Sequence, residues 1–336
     1  MTAAPTVRTG QAVDFAFDDL SFDQPVPRAI VHKWGPGEVF VTDSKRAGDS
    51  TYLIAGELPR SHAFYGDTTG GTPAVDPVTM IELGRQAGYV VLHEHLGVGL
   101  DNSFVIRDIH AVMAPGADAL VVDGPVPVLC VIELTEPTHR RGTLSGFRMS
   151  FHLSTRDGDE LASGVAAASW TGAERFSRFR AAQRRGLGLS PEPAGVAWAD
   201  ATRPMVAPGR RSASNAVLAD FSDDGMTASA FLRPNLDYVS LFDHAYDHVP
   251  GVVQVEGGKQ LAVWGAARRL GVSPDDVWVR QLDVEFRAIN ELDRHTQCSA
   301  TFSPNPDGPG LVATVATMQD GCNLGDVRAL ILPRRR

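Results

Sequence analysis

Apolar residues in this chain recur in two alternating rhythms, and the order of those rhythms is written twice. Residues 37–43 (GEVFVTD) and 50–56 (STYLIAG) are short, β-branched or aromatic-rich runs joined by a polar turn, which predicts two strands. A Gly/Thr/Pro-rich loop at 66–75 leads to Asp76-Pro77, an N-cap carboxylate with proline at the first helical position. From Pro77 to Leu96 apolar residues fall at helical spacing on most faces. This predicts a helix buried nearly all round, ended by Gly97 and Gly99. His93 and His95, near its end, are expected at the surface or as caps. Strand-like runs at 104–113, 126–134, 147–154 and 161–170 complete the first half.

Residues 170–209 lose this pattern: a basic helix-like piece (174–185) is followed by Pro- and Gly-rich polar sequence, read as a linker. The order then repeats. Residues 215–221 and 226–232 are predicted strands, 252–270 a helix closed by Gly271, and 277–289, 297–303, 311–318 and 327–332 further strands. The most specific mark of duplication is Glu-x-x-Arg/Lys-Gln, found at Glu82-Arg85-Gln86 and again at Glu256-Lys259-Gln260. One buried helix against an antiparallel sheet, written twice, is an α+β architecture, and a sheet wrapping its helix is the hot-dog fold. The expected organisation is a hot-dog domain at 1–172, a linker at 173–209 and a second hot-dog domain at 210–336, paired as a pseudo-dimer.

Composition narrows the function. With 43% hydrophobic and 21% charged residues the chain reads as a soluble globular protein, and it has no apolar run long enough to span a membrane. Residues 1–10 lack a signal-peptide pattern. Cys130, Cys298 and Cys322 are spaced neither as metal ligands nor as a disulfide framework, so a reducing cytoplasm is the default location. A net charge of −9 argues against a nucleic-acid surface, and the closing arginines 334–336 read as a solvated tail.

Residues three and four apart share a helix face, so each Glu, its basic neighbour and its Gln point the same way. Taken alone, such a triplet in an apolar helix is a structural ion pair. Histidines upstream of both helices change the weighing: His62 precedes the first, His244 and His248 the second. A histidine reaching a glutamate at a pocket mouth is an acid/base pair. The spacing of Asp243-His244 and Asp247-His248 is too loose for a metal site, and no phosphate loop, nucleophile elbow or dinucleotide fingerprint is present. No metal or cofactor is expected.

These pieces in this order resemble the A-factor synthase family, which makes γ-butyrolactone-type signalling molecules in actinobacteria. The resemblance rests on Val31-His32-Lys33 with residues 38–43, Pro59-Arg60-Ser61-His62, and Asp76-Pro77 with Glu82-Arg85-Gln86-Ala87-Gly88. In the second half it rests on Phe242-Asp243-His244, residues 247–251, Glu256 with Gln260, and Glu291-Leu292-Asp293. It implies transfer of a β-ketoacyl group from an acyl carrier protein or coenzyme A thioester to the hydroxyl of dihydroxyacetone phosphate. Glu82, Glu256, His62, His244 and His248 then become acid/base or orienting residues. Arg85, Gln86, Lys259 and Gln260 become substrate contacts, with Arg85 or Lys259 on the phosphate and a buried helix N-terminus supplying oxyanion donors. By analogy with the related β-hydroxyacyl-carrier-protein dehydratases, His62 faces Glu256, and His244 or His248 faces Glu82. The alternatives are a hot-dog dehydratase or thioesterase, and a non-catalytic binding module, as a monomeric pseudo-dimer or a homo-oligomer. One departure stands out: the family's second motif reads Glu-Ala-Ala-Arg-Gln, and here it is Glu256-Gly257-Gly258-Lys259-Gln260. Lysine keeps the charge but loses the bidentate fork, and the two glycines suggest close packing or an altered pocket.

Overall fold

In a computed structural model, which describes residues 17–69, 75–119, 126–199, 206–244 and 246–334, twelve strands form one antiparallel sheet. Residues 1–10, whose signal-peptide reading is given above, and Arg335 and Arg336 lie outside the described residues. The first half contributes β1 (Val41–Arg46), β2 (Thr51–Leu58), α1 (Pro77–Val90), β3 (Asn102–Met113), β4 (Val126–Arg140), β5 (Thr143–Thr155) and β6 (Glu160–Gly172). After α2 (Ala173–Gly186) come β7 (Leu218–Asp223), β8 (Thr227–Leu232), α3 (Gly251–Leu270), β9 (Val277–Phe286), β10 (Gln297–Pro304), β11 (Leu311–Gln319) and β12 (Cys322–Pro333). The strand order is β1-β2-β4-β5-β6-β3 followed by β9-β12-β11-β10-β8-β7, so the second half mirrors the first strand for strand. The duplicated pattern is therefore a duplicated fold, a double hot-dog whose halves join edge to edge where β3 pairs with β9.

Alternation in the strands directs small side chains at the helices. In β8 and β10, Ala228, Ala230, Cys298 and Ala300 are buried and their neighbours are not. α3 lies so close that a Cβ on Gly258 would stand 2.6 Å from Val327, and one on Gly257 2.7 Å from Leu232. The paired glycines are thus packing residues. α1 starts as expected, with Asp76 capping Val78 N–H, but its last turn, Val91–His95, is π-helical before Leu96 and the left-handed Gly97.

The first strand of each half begins later than its apolar pattern suggests, because its leading residues form a 3₁₀ turn, Pro36–Glu38 and Ala213–Asn215. A helix glutamine then takes the N–H two residues further on. Phe40 N–H donates to Gln86 Oε1 at 2.9 Å, and Val217 N–H donates to Gln260 Oε1 at 3.2 Å. The glutamine takes the N–H while the carbonyl of the same residue pairs across the sheet, with Glu57 N–H at 2.9 Å and Arg233 N–H at 2.8 Å. Arg334 also departs from expectation: its guanidinium is half-buried and donates to the carbonyls of Thr69 and Val277.

Candidate active site

Each signature glutamine locks its glutamate. Gln86 Nε2 donates to Glu82 at 2.7 Å and to the Glu38 carbonyl at 2.8 Å; Gln260 Nε2 does the same to Glu256 and to the Asn215 carbonyl, both at 2.8 Å. With helix and strand fixed this way, a basic residue five positions before that carbonyl reaches each glutamate. Lys33 Nζ lies 3.0 Å from Glu82, and Arg210 grips Glu256 with two bonds of 2.9 and 2.7 Å. An aspartate from the opposite half completes each cluster. Asp243 pairs with Lys33 at 2.6 Å and Arg85 at 3.4 Å, while Asp76 pairs with Lys259 at 2.7 Å and lies 3.8 Å from Arg210.

The result is two quartets of matching charge: Glu82, Arg85, Lys33, Asp243 and Glu256, Lys259, Arg210, Asp76. Burial alone would raise the carboxyl pKa values, but the cations win. Arg85 and Lys33 hold Glu82 at about 2, Arg210 and Lys259 hold Asp76 at about 2, and Glu256 is lowered by the same two groups. Asp243 is held well below the ordinary carboxylate range: burial opposes this, and His244, Lys33 and Arg85 overcome it. Both signature glutamates are therefore held as anions between cations, an arrangement that does not suit a general acid. That narrows the acid/base or orienting expectation for Glu82 and Glu256.

The quartets differ in what surrounds them. In the second, every charged side chain is at most 7% exposed, and Arg210 also donates to the Phe64 and Asp67 carbonyls. Lys259 has its charge committed to Asp76 and Glu256, so it is not placed as a phosphate clamp. Asp76 doubles as the cap of α1, so the N-terminus of that helix is already occupied and is not an oxyanion site. In the first quartet the Arg85 side chain is 20% exposed, and the next residue after Asp243 is His244, whose side chain is 46% exposed. His244 Nδ1–H donates to Asp243 at 2.9 Å, and Tyr246 O–H donates to the same oxygen at 2.7 Å. This fixes the tautomer that leaves the His244 Nε2 lone pair outward.

The other histidines are placed differently from the expectation. His62 does not face Glu256. Its Nε2 meets Glu38 at 3.1 Å, and its Nδ1 accepts from Phe64 and Tyr65 N–H, which makes it part of the scaffold beside the first quartet. Of the pair upstream of α3, His244 is the one linked to Glu82, through Asp243 and the Lys33 and Arg85 that lie between the two carboxylates. His248 turns to Asp247 and bridges the Glu291 backbone.

His93 is not a surface residue but part of an aromatic wall with His32, Tyr89 and Phe104. Its Nδ1–H donates to Val98 O at 2.6 Å, so its Nε2 accepts from His32 Nε2–H at 2.9 Å. His32 has φ of +54°, uncommon for a residue with a Cβ. Burial, then His93, Arg85 and His244, lower its pKa to about 4 against the pull of Asp243, keeping it neutral near pH 7. Lys33, Asp243, His32 and Arg210 were not singled out as site residues from the sequence. The first three lie inside the quoted motifs, whereas nothing in the sequence marks Arg210.

The two-copy geometry agrees with the sequence comparison. The family model described as "A-factor biosynthesis hotdog domain" matches residues 16–172 and 199–331. The chain belongs to that family. α2 falls between the two matched stretches of the A-factor hotdog pattern. A similar protein from Streptomyces virginiae, named 2-oxo-3-(phosphooxy)propyl 3-oxoalkanoate synthase, is 28% identical over 300 residues, covering 88% of this chain and 93% of that one. A Streptomyces griseus protein of the same name is 26% identical, covering 88% and 92%. Among solved structures, a 12:0-ACP thioesterase from Umbellularia californica superposes with a TM-score of 0.51 at 12% identity, over 84% of this chain and 98% of that one. The pyran synthase domain from module nine of the sorangicin pathway gives 0.51 at 13%, over 88% and 98%. Those two likenesses show the hot-dog fold of the A-factor family and nothing about its chemistry. No helix among the described residues is long and apolar enough to cross a membrane.

Proposed function

We propose that the protein transfers a 3-oxoacyl group from a thioester to the hydroxyl of dihydroxyacetone phosphate, at the Glu82 quartet alone. The relatives' name spells out that ester as their product. The observation that carries the reading is the pairing, at one partly open quartet, of an available cation with an oriented imidazole. Arg85 spends Nε and Nη2 on Glu82 and Asp243 and lies 5.0 Å over the Tyr89 ring, yet its side chain keeps 20% exposure, which leaves a guanidinium edge for a phosphate.

His244 Nε2 takes the proton of the attacking hydroxyl as the oxygen–carbon bond forms, while Asp243 stabilises the imidazolium. The developing oxyanion is received by backbone N–H groups at the start of α3, which carries no side-chain cap. Collapse breaks the carbon–sulfur bond, and the His244 proton passes to the leaving sulfur. The second quartet, closed and self-paired, serves as a structural counterpart that ties the halves together.

Incubation with a 3-oxoacyl thioester, with and without dihydroxyacetone phosphate, tests this by mass spectrometry. The expected product is a new phosphorylated ester that forms only with both substrates. Free 3-oxo acid released at the same rate without the phosphate compound would replace the reading with a thioesterase.

A further inference from the structure

α2 buries two arginines beside the half-buried Phe176 and leaves its other aromatic residue outside. Arg180 and Arg184 are 3% and 0% exposed, whereas Phe179 is 54% exposed and Leu187, just past the helix, 52%. An amphipathic helix ordinarily turns its aromatic residues inward. Here the inner face is held by charge. Arg180 donates to Glu291 at 2.8 and 2.9 Å and to Asp247 at 2.8 Å, and Arg184 donates to Asp293 at 2.6 Å and to Glu291. Phe179 touches only the edge of this face, its ring tilted against Phe176 at 6.3 Å, and keeps more than half of its surface for something outside.

Arg175, Arg178, Phe179, Ala182 and Arg185 are all exposed and lie on one face by helical spacing. Arg178 shares its charge with the exposed Glu174, a pair of little weight in water. Ten residues separate Arg175 from Arg185, so the stripe is about 15 Å long at 1.5 Å per residue. An aromatic centre rimmed by arginines is the composition of a protein-docking surface. On a chain of net charge −9, a local basic face selects an acidic partner.

We propose that the outer face of α2 docks an acidic, helical acyl carrier protein that delivers the thioester to the Glu82 quartet, a proposal that rests on the acyl-transfer reading. The placement fits. Arg180 holds both the carboxylate and, at 3.4 Å, the carbonyl of Asp247, and Asp243 and His244 lie a few residues earlier on the same loop. A carrier seated on α2 therefore sits beside the segment that brings the base to the site. Arginines spread along the stripe with Phe179 between them match the face of a partner helix rather than the compact phosphates of coenzyme A.

The test compares Phe179→Ala and the double variant R175E/R185E with the unaltered protein. Each is assayed with one 3-oxoacyl chain carried either on an acyl carrier protein or on N-acetylcysteamine, with dihydroxyacetone phosphate as acceptor. The expected result is a KM for the carrier-borne donor raised about tenfold or more, the loss of one hot-spot contact, with turnover of the small thioester unchanged. Rising salt should also weaken carrier use by the unaltered protein and much less by R175E/R185E. Equal losses with both donors, or no loss with either, overturn the proposal.

Direct titration of the unloaded carrier against each protein keeps the result separate from the chemistry. Binding that the variants lose supports docking on α2 even if no ester is ever formed. Binding that they retain, or no binding by the unaltered protein, rejects it whatever the enzyme makes.

Discussion

At the scale of single residues, two quartets of the same charges differ in what they are open to. In the second, Glu256 is wholly buried between Arg210 and Lys259. Removing its charge leaves two buried cations with one aspartate. Glu256→Gln should therefore cost about 3–5 kcal/mol of stability in denaturant titration, the range for breaking a buried ion pair from one side. Unchanged stability would mean that the quartet is not the lock described.

His32 yields a prediction in pH. Its folded pKa, about 4, lies below the ordinary 6.5. The unfolded chain thus binds the proton more readily, and stability is lost as pH falls from about 6.5 towards 4. The groups facing His32 are His93, Arg85, His244 and Asp243. His32→Asn should flatten the fall in melting temperature across that window while leaving the carboxylate-driven loss below it. A parallel fall in both proteins would remove His32 as its source. None of this was readable from the sequence, because a histidine's tautomer and burial depend on what folding brings to it. The Val31-His32-Lys33 fragment marked the place and not the role.

Among the elements, the helices were legible and the strand starts were not. Asp76-Pro77 and Gly271 are local signals with local causes, and α1 and α3 begin and end close to where they point. The first strand of each half is displaced because its leading residues form a 3₁₀ turn, which Gln86 and Gln260 pin from more than forty residues away. The glycines of α3 were visible as an anomaly, and the structure supplies the reason. Gly258→Ala gains about 1 kcal/mol of helix propensity but drives a methyl to 2.6 Å from Val327. Overpacking of this kind costs about 1–3 kcal/mol, so a net loss of stability is expected in thermal melting. A stabilised variant would show that α3 can lift off the sheet.

Across the whole molecule, the duplication provides a frame, and the proposed chemistry rests on where its two copies differ. Lys33–Asp243 and Lys259–Asp76 run between the halves, so each half completes the other's quartet. Repetition in the sequence made the frame plain, and Lys259 in place of the first copy's Arg85 marked the two copies as unequal. What it did not show is that Asp76, legible as a helix cap, also closes the second quartet through Lys259, while Asp243 is followed by an exposed histidine. The most direct test is the rate of phosphorylated-ester formation by His244→Ala, measured beside His248→Ala. The account predicts a fall of about 100-fold or more for His244→Ala, the usual worth of a general base, with an unchanged melting temperature and a much smaller effect at His248. A His244→Ala protein that forms the ester at the unaltered rate would contradict it.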